Sequence, residues 1–400
     1  MRVLLAVEQL RRPLPGGIGR YARGLLGGLS DLETKEPSSA EIELLASRPR
    51  RVDAVAGSGG RPGDPLAVWG FPVHSSALPG PALTRAWDRG IVAAPPSFDV
   101  VHSVSLAAPP VRRGRAPGGG RPSLVISVHD LAWRAHPEST TARGRRWHEA
   151  ALRRTLRRAD AFLTPAEGVA AQLRSLGAGA DTVVVVPFGA DHLPPPDEPG
   201  ADHLLERLGV GGPYLLSAGT LEPRKNLRRL VDAYAGARRS LPEPWPLVVV
   251  GPRGWGNAGL GGGSSTSAAQ HTAPVGADRG IVAGGPVSDG VLAALYRRAR
   301  AFVYVPLTEG FGFPPLEAMG AGVPVVASIG VPSVAPPPGE EPAALRVDPH
   351  SVEAIAEALV AAATDEPLRS DLVARGTAHY QSHTWRRCAR QHLALWERLS

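Results

Sequence analysis

Short apolar runs alternate with helical patterns along the first half of the chain. Such runs predict buried strands at Val3–Val7, Glu41–Ala46, Ala67–Val73, Val100–Val104, Leu124–Val128 and Thr182–Val186. Apolar side chains recur at helical spacing between Ile18 and Leu29, and Arg143–Arg158 is predicted as a basic helix. Glycine and proline predict loops at Gly57–Asp64 and Pro109–Pro122. This alternation is typical of a parallel sheet that is covered on both faces.

The segment Pro194–Gly200, which reads PPPDEPG, interrupts the alternation. We interpret it as neither helix nor central strand and place a domain boundary there. The pattern then restarts, with predicted strands at Tyr214–Ala218, Leu247–Val250, Ile281–Ala283, Phe302–Val305 and Val323–Ala327. The predicted helices are Asn226–Ala237, Val291–Arg300, Pro315–Gly320, Ser351–Thr364, Leu368–Tyr380 and Trp385–Leu399, and Ala258–Ala277 is predicted as a low-complexity insertion. The sequence thus predicts two doubly wound α/β domains, residues 1–193 and 205–381, followed by a C-terminal helix within residues 382–400.

Length and composition are compatible with two domains of ordinary size. The 400 residues are 43% hydrophobic, and the single cysteine, Cys388, cannot form an internal disulfide. The N-terminal apolar run Val3–Val7 is too short for a signal peptide and is followed at once by Glu8. We therefore expect a cytoplasmic protein.

The net charge of +7 raises the question of nucleic-acid binding, which we do not expect. Of the 44 basic residues only Lys35 and Lys225 are lysines, and the arginines are spread along the chain rather than gathered in one aromatic-interleaved block. The predicted helix Arg143–Arg158 is a local exception. It could lie on anionic lipid at the inner membrane face, or it could present a solvated face.

A glycine-rich stretch that begins at Gly16 and Gly17 separates the first strand from the first helix. Glycine permits close approach of the backbone, and a helix start offers unpaired N–H groups to an anion. Gly17, Gly19 and Ala22 also fit G-x-G-x-x-A, but that fingerprint should directly follow the strand and here about nine residues intervene, so a nicotinamide or flavin site is not expected. A phosphate- or sugar-facing loop and an ordinary turn both stay open.

Arg224 and Lys225 lie in the segment SAGTLEPRKN, which follows the first strand of the second domain. A guanidinium can bind two oxygens of a diphosphate, while the compact ammonium acts as a point charge. The chain uses arginine almost everywhere and yet has a lysine here, which favours a specific role for the ammonium. A solvated helix start is the alternative.

Glu309 and Glu317 lie on either side of a glycine-rich helix start in TEGFGFPPLEAMG. Gly310 and Gly312 let the backbone approach a ligand, and proline in the first helical turn costs no hydrogen bond. The helix start can accept phosphate, and the two carboxylates can accept hydroxyl protons from a sugar and a ribose. This segment predicts a sugar-nucleotide site.

His129 follows the predicted strand Leu124–Val128, where it could exchange a hydrogen bond with a substrate hydroxyl, or be an ordinary loop histidine. Signals for a metal are weak. The chain has no Asp-x-Asp pair and no paired cysteines, and His379 and His383 straddle a predicted helix end. We therefore expect neither a metal nor another cofactor.

Together these segments resemble glycosyltransferase family 4, whose members have the GT-B architecture of two facing Rossmann-like, doubly wound parallel-sheet domains. The resemblance covers nearly the whole chain and rests on GGIGRY, HDL, GTLEPRKN and EGFGFPPLEAMGAGVPVVAS. The tail QSHTWRRCARQHLALWERL resembles the family's final helix, which returns to the N-terminal domain. Among relatives, the chain looks most like bacterial mannosyltransferases or related hexosyltransferases of polysaccharide assembly.

The resemblance implies a retaining transfer of a sugar from a nucleoside diphosphate to a saccharide, lipid-linked or small-molecule acceptor, without a metal. The donor would bind mainly to the C-terminal domain, and the N-terminal domain would lie on the acceptor side. Lys225 and Arg224 would neutralise the diphosphate, and Gly16 and Gly17 would approach it.

The remaining roles implied by the resemblance concern the sugar and the ribose. Glu309 would bind hydroxyls of the donor sugar, and N–H groups around Phe311, Gly312 and Phe313 would support sugar and phosphate. Glu317 would hold the ribose, and His129 would contact the sugar near its anomeric carbon.

The chain departs from the family pattern at Thr220, where many relatives have arginine, at the insertion Asn257–Ala277 and at the proline-rich Val331–Glu341. A catalytically weak nucleotide-sugar-binding scaffold of the same fold and a sugar-nucleotide epimerase are the alternative functions. The enzyme hypothesis requires Lys225 and Glu309 to lie together.

Overall fold

The computed structural model of the chain describes residues 1–13, 16–36, 40–49, 55–56, 62–112, 120–243, 245–254 and 280–400. The predicted insertion Ala258–Ala277 lies outside these residues, as do most of the predicted loop Gly57–Asp64 and the middle of the loop Pro109–Pro122. The chain divides into two compact units. Unit 1 comprises Met1–Leu131, Arg146–Gly189 and Thr384–Ser400, and unit 2 comprises Ala132–Arg145 and Ala190–His383.

Unit 1 is built on a parallel sheet, which has seven strands within the described ranges. In chain order they are β1 (Arg2–Ala6), β2 (Glu41–Ser47), β3 (Val73–Ser76), β4 (Val100–Ser103), β5 (Ser123–Ser127), β6 (Ala161–Thr164) and β7 (Val183–Val185). They lie side by side in the order β3-β2-β1-β4-β5-β6-β7.

Unit 2 repeats this arrangement with a parallel sheet of six described strands. They are β8 (Leu215–Ala218), β9 (Leu247–Val250), β10 (Ile281–Gly285), β11 (Ala301–Tyr304), β12 (Val325–Ser328) and β13 (Leu345–Val347). Their order is β10-β9-β8-β11-β12-β13.

Helices connect most of the strands. Those in the described ranges, α1 to α12 in chain order, are Gly16–Lys35, Gly80–Asp88, Ala132–Ala135, Ala142–Leu156, Glu167–Ser175, Glu198–Arg207, Leu227–Ala237, Asp289–Arg298, Phe313–Gly320, Val352–Thr364, Glu366–Gln381 and Trp385–Leu399. None of them combines the length and the apolar run that crossing a bilayer requires.

Every residue of the central strands β4, β6, β8, β9, β11 and β12 is buried. Because successive side chains of a strand point to opposite faces, both faces of each sheet are covered at these strands. The predicted fold class, α/β with doubly wound parallel sheets, is confirmed.

The strand order reverses direction between β1 and β4 in unit 1 and between β8 and β11 in unit 2. In open α/β sheets such a reversal leaves a crevice outside the carboxyl ends of the two strands, where ligands bind. In unit 2 the loops that leave this point carry Lys225 after β8 and Glu309 after β11.

The C-terminal helix α12 packs closely on α1 within unit 1. A Cβ atom added at Gly24 would lie 2.0 Å from the ring of Trp385, and one added at Gly28 would lie 2.4 Å from the carbonyl oxygen of Trp385. Gly27, on another face of α1, has open space in the same position. Because Gly24 and Gly28 have no side chains, the two helices can pack closely along this face of α1.

A chain of buried hydrogen bonds also fixes α12. Trp396 Nε1 donates to His102 Nδ1 at 3.2 Å, and His102 Nε2 lies 2.8 Å from Ser127 Oγ. Tyr21 Oη is 2.8 Å from both Ser127 Oγ and His392 Nε2. His392 Nδ1 donates to the Cys388 carbonyl at 2.8 Å. With both histidines neutral, every donor in this chain has an acceptor.

The predicted strand Ala67–Val73 is wrong. Pro65–Trp69 forms a 3-10 helix, and the strand begins only at Val73. The Asp64 carboxylate accepts from the backbone N–H of Leu66 at 2.9 Å and caps the helix, and Gly70 ends it with a φ of 81°. Local capping thus overrides an apolar run that is compatible with either structure.

The interpretation of Pro194–Gly200 as free of helix is also wrong, because α6 begins at Glu198. Asp197 caps this helix by accepting from the backbone N–H of Gly200 at 3.0 Å. Pro199 lies in the first turn, where the missing N–H leaves no intrahelical bond unmade. The sequence analysis also did not place helices α2, α3 and α5 or strands β6 and β13.

Candidate active site

Two loops of unit 2 meet at the carboxyl ends of β8 and β11. The backbone N–H of Leu307 donates to the Arg224 carbonyl at 2.8 Å, which joins them directly. Asn226, 4% exposed, donates from Nδ2 to the carbonyls of Val305 at 3.0 Å and Pro349 at 2.7 Å. These buried bonds fix the loop backbone beside the crevice.

Lys225, Tyr304 and Glu309 form a closed triangle of hydrogen bonds, called here the Lys-Tyr-Glu cluster. Lys225 Nζ donates to Glu309 Oε2 and to Tyr304 Oη, both at 2.5 Å. Tyr304 Oη in turn donates to Glu309 Oε2 at 2.5 Å. The side chains of Lys225 and Glu309 are only 11% and 12% exposed. The two charged groups thus lie in contact, as the enzyme hypothesis requires.

Arg224 adds a second cation beside the cluster. Its Nε pairs with Glu222 Oε1 at 2.6 Å, and one terminal nitrogen lies 3.6 Å from Glu309 Oε2. The same nitrogen donates to the Thr308 carbonyl at 3.4 Å. Two cations and two carboxylates therefore lie within one largely buried group, where a low dielectric strengthens the interactions between their charges.

The charge state of Glu309 follows from its neighbours. Burial by itself raises the pKa of this carboxyl group, but the charges of Lys225 and Arg224 and the hydrogen bonds from Lys225 and Tyr304 outweigh it, and the pKa falls from 4.5 to about 2. Burial lowers the pKa of Lys225, and the Glu309 carboxylate opposes that shift. Glu309 is consequently ionised at neutral pH and is a very weak base.

The loop after Glu309 makes a tight turn into helix α9. Gly312 has a φ of 98°, and a Cβ atom there would lie 2.6 Å from Val331 Cγ1. Ser333 ties the turn down, because its Oγ donates to the Gly312 carbonyl at 2.6 Å and its N–H donates to the Phe311 carbonyl at 2.9 Å. Phe311 and Phe313 are 5% and 8% exposed, so their side chains pack inward. The backbone, rather than these rings, is the part that can face a ligand.

Glu317, on α9, is 2% exposed. Its Oε2 accepts a hydrogen bond from Tyr296 Oη at 3.1 Å, and its Oε1 lies 3.1 Å from His192 Nε2. A buried carboxylate with these partners is held in one orientation. The predicted contact of Glu317 with a ribose stays a prediction.

His136 is a neighbour of the site that the sequence analysis missed. It lies in the segment Ala132–Arg145, which belongs to unit 2 although it follows the first strands of unit 1. His136 Nε2 is 2.8 Å from Thr308 Oγ1, directly before Glu309. No local sequence pattern predicts this contact, because it depends on the packing of the whole segment Ala132–Arg145 in unit 2.

The predicted residues of unit 1 lie at the start of α1 and after β5. Gly16 and Gly17 are exposed at the helix start. His129 Nε2 donates to the Val104 carbonyl at 2.8 Å, and its ring packs edge-on against Tyr21 at 4.8 Å. Burial lowers the pKa of His129, so its neutral form presents Nδ1 as an acceptor.

Among the described residues, no group of three or more His, Cys, Asp or Glu side chains could hold a metal ion. His379 Nε2 bonds the Ser333 carbonyl at 2.7 Å, and His383 Nδ1 bonds the His379 carbonyl at 2.9 Å. Arg224 and Lys225 place positive charge next to the crevice.

Comparison with known proteins identifies the family. Residues 15–192 match the model of the family described as Glycosyltransferase Family 4, and residues 206–379 match that of Glycosyl transferases group 1. The chain is 28% identical over 403 residues to O-antigen chain mannosyltransferase B of Escherichia coli, and the match covers 98% of each chain.

One further relative and one solved structure of similar fold extend the comparison. A D-inositol 3-phosphate glycosyltransferase of Stackebrandtia nassauensis is 30% identical over 322 residues, which are 76% of this chain and 69% of the relative. The crystal structure of Anabaena HepE in complex with UDP and glucose matches with a TM-score of 0.64 and 14% identity, over 99% of both chains. The chain belongs to glycosyltransferase family 4, and it is a glycosyltransferase with the GT-B fold.

Proposed function

We propose that the protein transfers a hexosyl group, in the first instance mannosyl, from a nucleoside diphosphate sugar to a hydroxyl of a saccharide, lipid-linked or small-molecule acceptor. The Lys-Tyr-Glu cluster at the strand-order reversal of unit 2 carries this proposal. The similarity to the O-antigen mannosyltransferase supports the mannosyl group, and the relative that holds UDP and glucose supports a nucleoside diphosphate sugar as donor.

The chemistry we propose depends on stabilising the leaving diphosphate. Negative charge develops on that group as the glycosidic bond breaks, and preorganised cations lower the barrier. A lysine ammonium has three N–H donors. Lys225 directs two of them to Tyr304 and Glu309, the hydrogen-bond partners it has among the described residues, and the third can bind a phosphate oxygen.

Glu309 would orient the sugar rather than remove a proton. Its pKa of about 2 makes it a poor base, whereas its ionised oxygens accept hydroxyl hydrogen bonds well. Neutral His129 would accept from a sugar hydroxyl through Nδ1. We propose that the anomeric configuration is retained, as the resemblance to family 4 implies, and that Arg224 and Lys225 replace a metal ion.

The test is a donor-consumption assay with GDP-mannose and UDP-glucose, with sugar alcohols and oligosaccharides as acceptors. We expect the wild type to release nucleoside diphosphate, and we expect Lys225→Ala and Glu309→Ala to be more than tenfold slower, about 1.4 kcal/mol of barrier. NMR of the product should show a retained anomeric configuration, and EDTA should leave the rate unchanged. Nucleotide binding without release of sugar would instead identify a scaffold protein.

We further propose that the enzyme works at an anionic membrane on the cytoplasmic side. Arg146, Arg153 and Arg157 are exposed, and their spacing places them on one stripe of α4 and the turn that follows it. Vesicles containing phosphatidylglycerol should sediment the wild type, and neutral vesicles should not. A triple Arg→Gln variant that sediments equally well would contradict this part of the proposal.

A further inference from the structure

Three buried aromatic side chains of unit 2, Tyr296, Phe302 and Tyr304, form what we call the aromatic column. The ring of Tyr296 meets Phe302 edge-on at a centroid distance of 5.2 Å, and the rings of Phe302 and Tyr304 lie nearly parallel at 6.3 Å. Their exposures are 0%, 0% and 4%. Close-packed rings in such a row have little freedom to move, so the two hydroxyl groups are held in place.

Each tyrosine of the column donates to one of the two glutamates of the candidate site. Tyr304 Oη donates to Glu309 Oε2, and Tyr296 Oη donates to Glu317 Oε2. The glutamates lie on different elements, the loop after β11 and helix α9. The aromatic column therefore links the positions of two carboxylates that the backbone alone places separately.

Besides its bond to Glu309, the Tyr304 hydroxyl makes a second hydrogen bond, to Lys225. A hydroxyl can make both because it is a donor and an acceptor at once. The hydroxyl oxygen of Tyr304 accepts a hydrogen bond from Lys225 Nζ, while its O–H group donates a hydrogen bond to Glu309. The ammonium also lies 5.0 Å from the centre of the same ring. With two of its three N–H groups directed by Tyr304 and Glu309, the third N–H of Lys225 has a fixed direction.

We propose that Tyr304 and Tyr296 are positioning residues for the donor: Tyr304 aims Lys225 and Glu309 at the diphosphate and the sugar, and Tyr296 orients Glu317 for the nucleoside. The inference rests on the proposed function. It assigns the two tyrosines to different parts of one ligand, so their removal has different consequences for ligands that contain or lack phosphate.

The experiment compares Tyr304→Phe and Tyr296→Phe with the control Tyr214→Phe. Each change removes one buried hydroxyl and keeps the ring. The hydroxyl of the control residue Tyr214 donates to the Leu295 carbonyl at 2.8 Å. Tyr214 directly precedes β8 and so lies at the amino ends of the strands, whereas the site lies at their carboxyl ends. Calorimetry with GDP and UDP first shows which nucleotide the wild type binds, and the affinities of that diphosphate and of its unphosphorylated nucleoside are then measured for each variant.

We expect Tyr304→Phe to weaken the diphosphate about tenfold and leave the nucleoside within about twofold, because only the diphosphate contacts Lys225. Tyr296→Phe should weaken both ligands by the same factor. The turnover number of Tyr304→Phe should fall about tenfold, and that of Tyr214→Phe should stay within about twofold of the wild type.

A Tyr304→Phe variant that weakens both ligands equally, or neither, would overturn the inference, as would a Tyr214→Phe variant with the same kinetic loss. If the wild type transfers sugar and the tyrosine variants all behave like the control, the inference fails and the proposed function stands. If the wild type binds neither nucleotide and consumes no donor, both fail together.

Discussion

Replacing Lys225 with methionine removes one charge from the Lys-Tyr-Glu cluster and keeps a side chain of similar length. The pKa of Glu309 is about 2 with its cationic neighbours present, against 4.5 unperturbed. That difference of about 2.5 units is equivalent to about 3 kcal/mol in favour of the ionised carboxylate. The folded pKa lies below the unfolded one, so this stabilisation is present above pH 4.5 and is lost as the pH falls towards 2.

In the Lys225→Met variant, fewer positive charges counteract the effect of burial, so the pKa of Glu309 rises. We expect the free energy of unfolding to fall at pH 7 by at most about 3 kcal/mol, because Arg224 and Tyr304 still hold down the pKa of Glu309 and the buried ammonium, whose own pKa is lowered by burial, is removed. The loss should be smaller at pH 4, where the variant's carboxyl group accepts a proton. Urea denaturation followed by tryptophan fluorescence measures both values. Donor consumption should also drop more than tenfold.

The chain offers a matched control, because its other lysine, Lys35, is 55% exposed and pairs with Asp31 on the surface of α1. Lys35→Met should change the free energy of unfolding by less than about 0.5 kcal/mol and leave activity intact. The reasoning is refuted if the two variants lose equal stability, or if the loss in Lys225→Met is the same at pH 7 and pH 4.

Three further predictions concern packing, pH and the turn into α9. Gly28→Ala should destabilise the protein by about 2 kcal/mol because its Cβ would meet the Trp385 backbone, whereas Gly27→Ala in open space should stabilise it by up to about 1 kcal/mol; urea midpoints of the two variants decide this. Burial lowers the pKa of His392 from 6.5 to about 4, so the unfolded chain binds a proton at a higher pH than the folded chain does. The free energy of unfolding should therefore fall by about 3 kcal/mol as the pH drops from above 6.5 to 4. A His392→Gln variant whose stability depends on pH as strongly as that of the wild type would contradict this. Gly312→Ala should reduce donor consumption more than tenfold because of its φ of 98° and its closeness to Val331, while thermal melting reports whether the fold persists.

The sequence predicted the alternating architecture well because buried parallel strands such as β9 and β11 are short apolar runs with clear boundaries. It failed where local capping decides between two structures that the same composition allows. Asp197 and Pro199 start a helix inside a proline-rich segment, and Asp64 starts another inside an apolar run. In both places the informative residue is the cap rather than the average composition.

For the candidate site, the sequence predicted residues that lie in loops after strands but not the residues that contact them. Lys225 and Glu309 were expected together because the enzyme hypothesis requires it, and the structure brings them together because the neighbouring parallel strands β8 and β11 end at the same side of the sheet. Tyr304 looks like an ordinary residue of a buried strand, and only its contacts distinguish it. His136 is separated from Thr308 by 172 positions, so no local pattern could reveal their contact.

The central claim is that a nucleoside diphosphate binds where the loops after β8 and β11 meet. A crystal structure of the protein with GDP or UDP, whichever binds in calorimetry, tests it most directly. The account predicts a phosphate oxygen within hydrogen-bond distance of Lys225 Nζ, about 3 Å, with Arg224 beside it and Glu309 still bonded to Tyr304. A diphosphate bound elsewhere on the protein, with the Lys-Tyr-Glu cluster untouched, would contradict it.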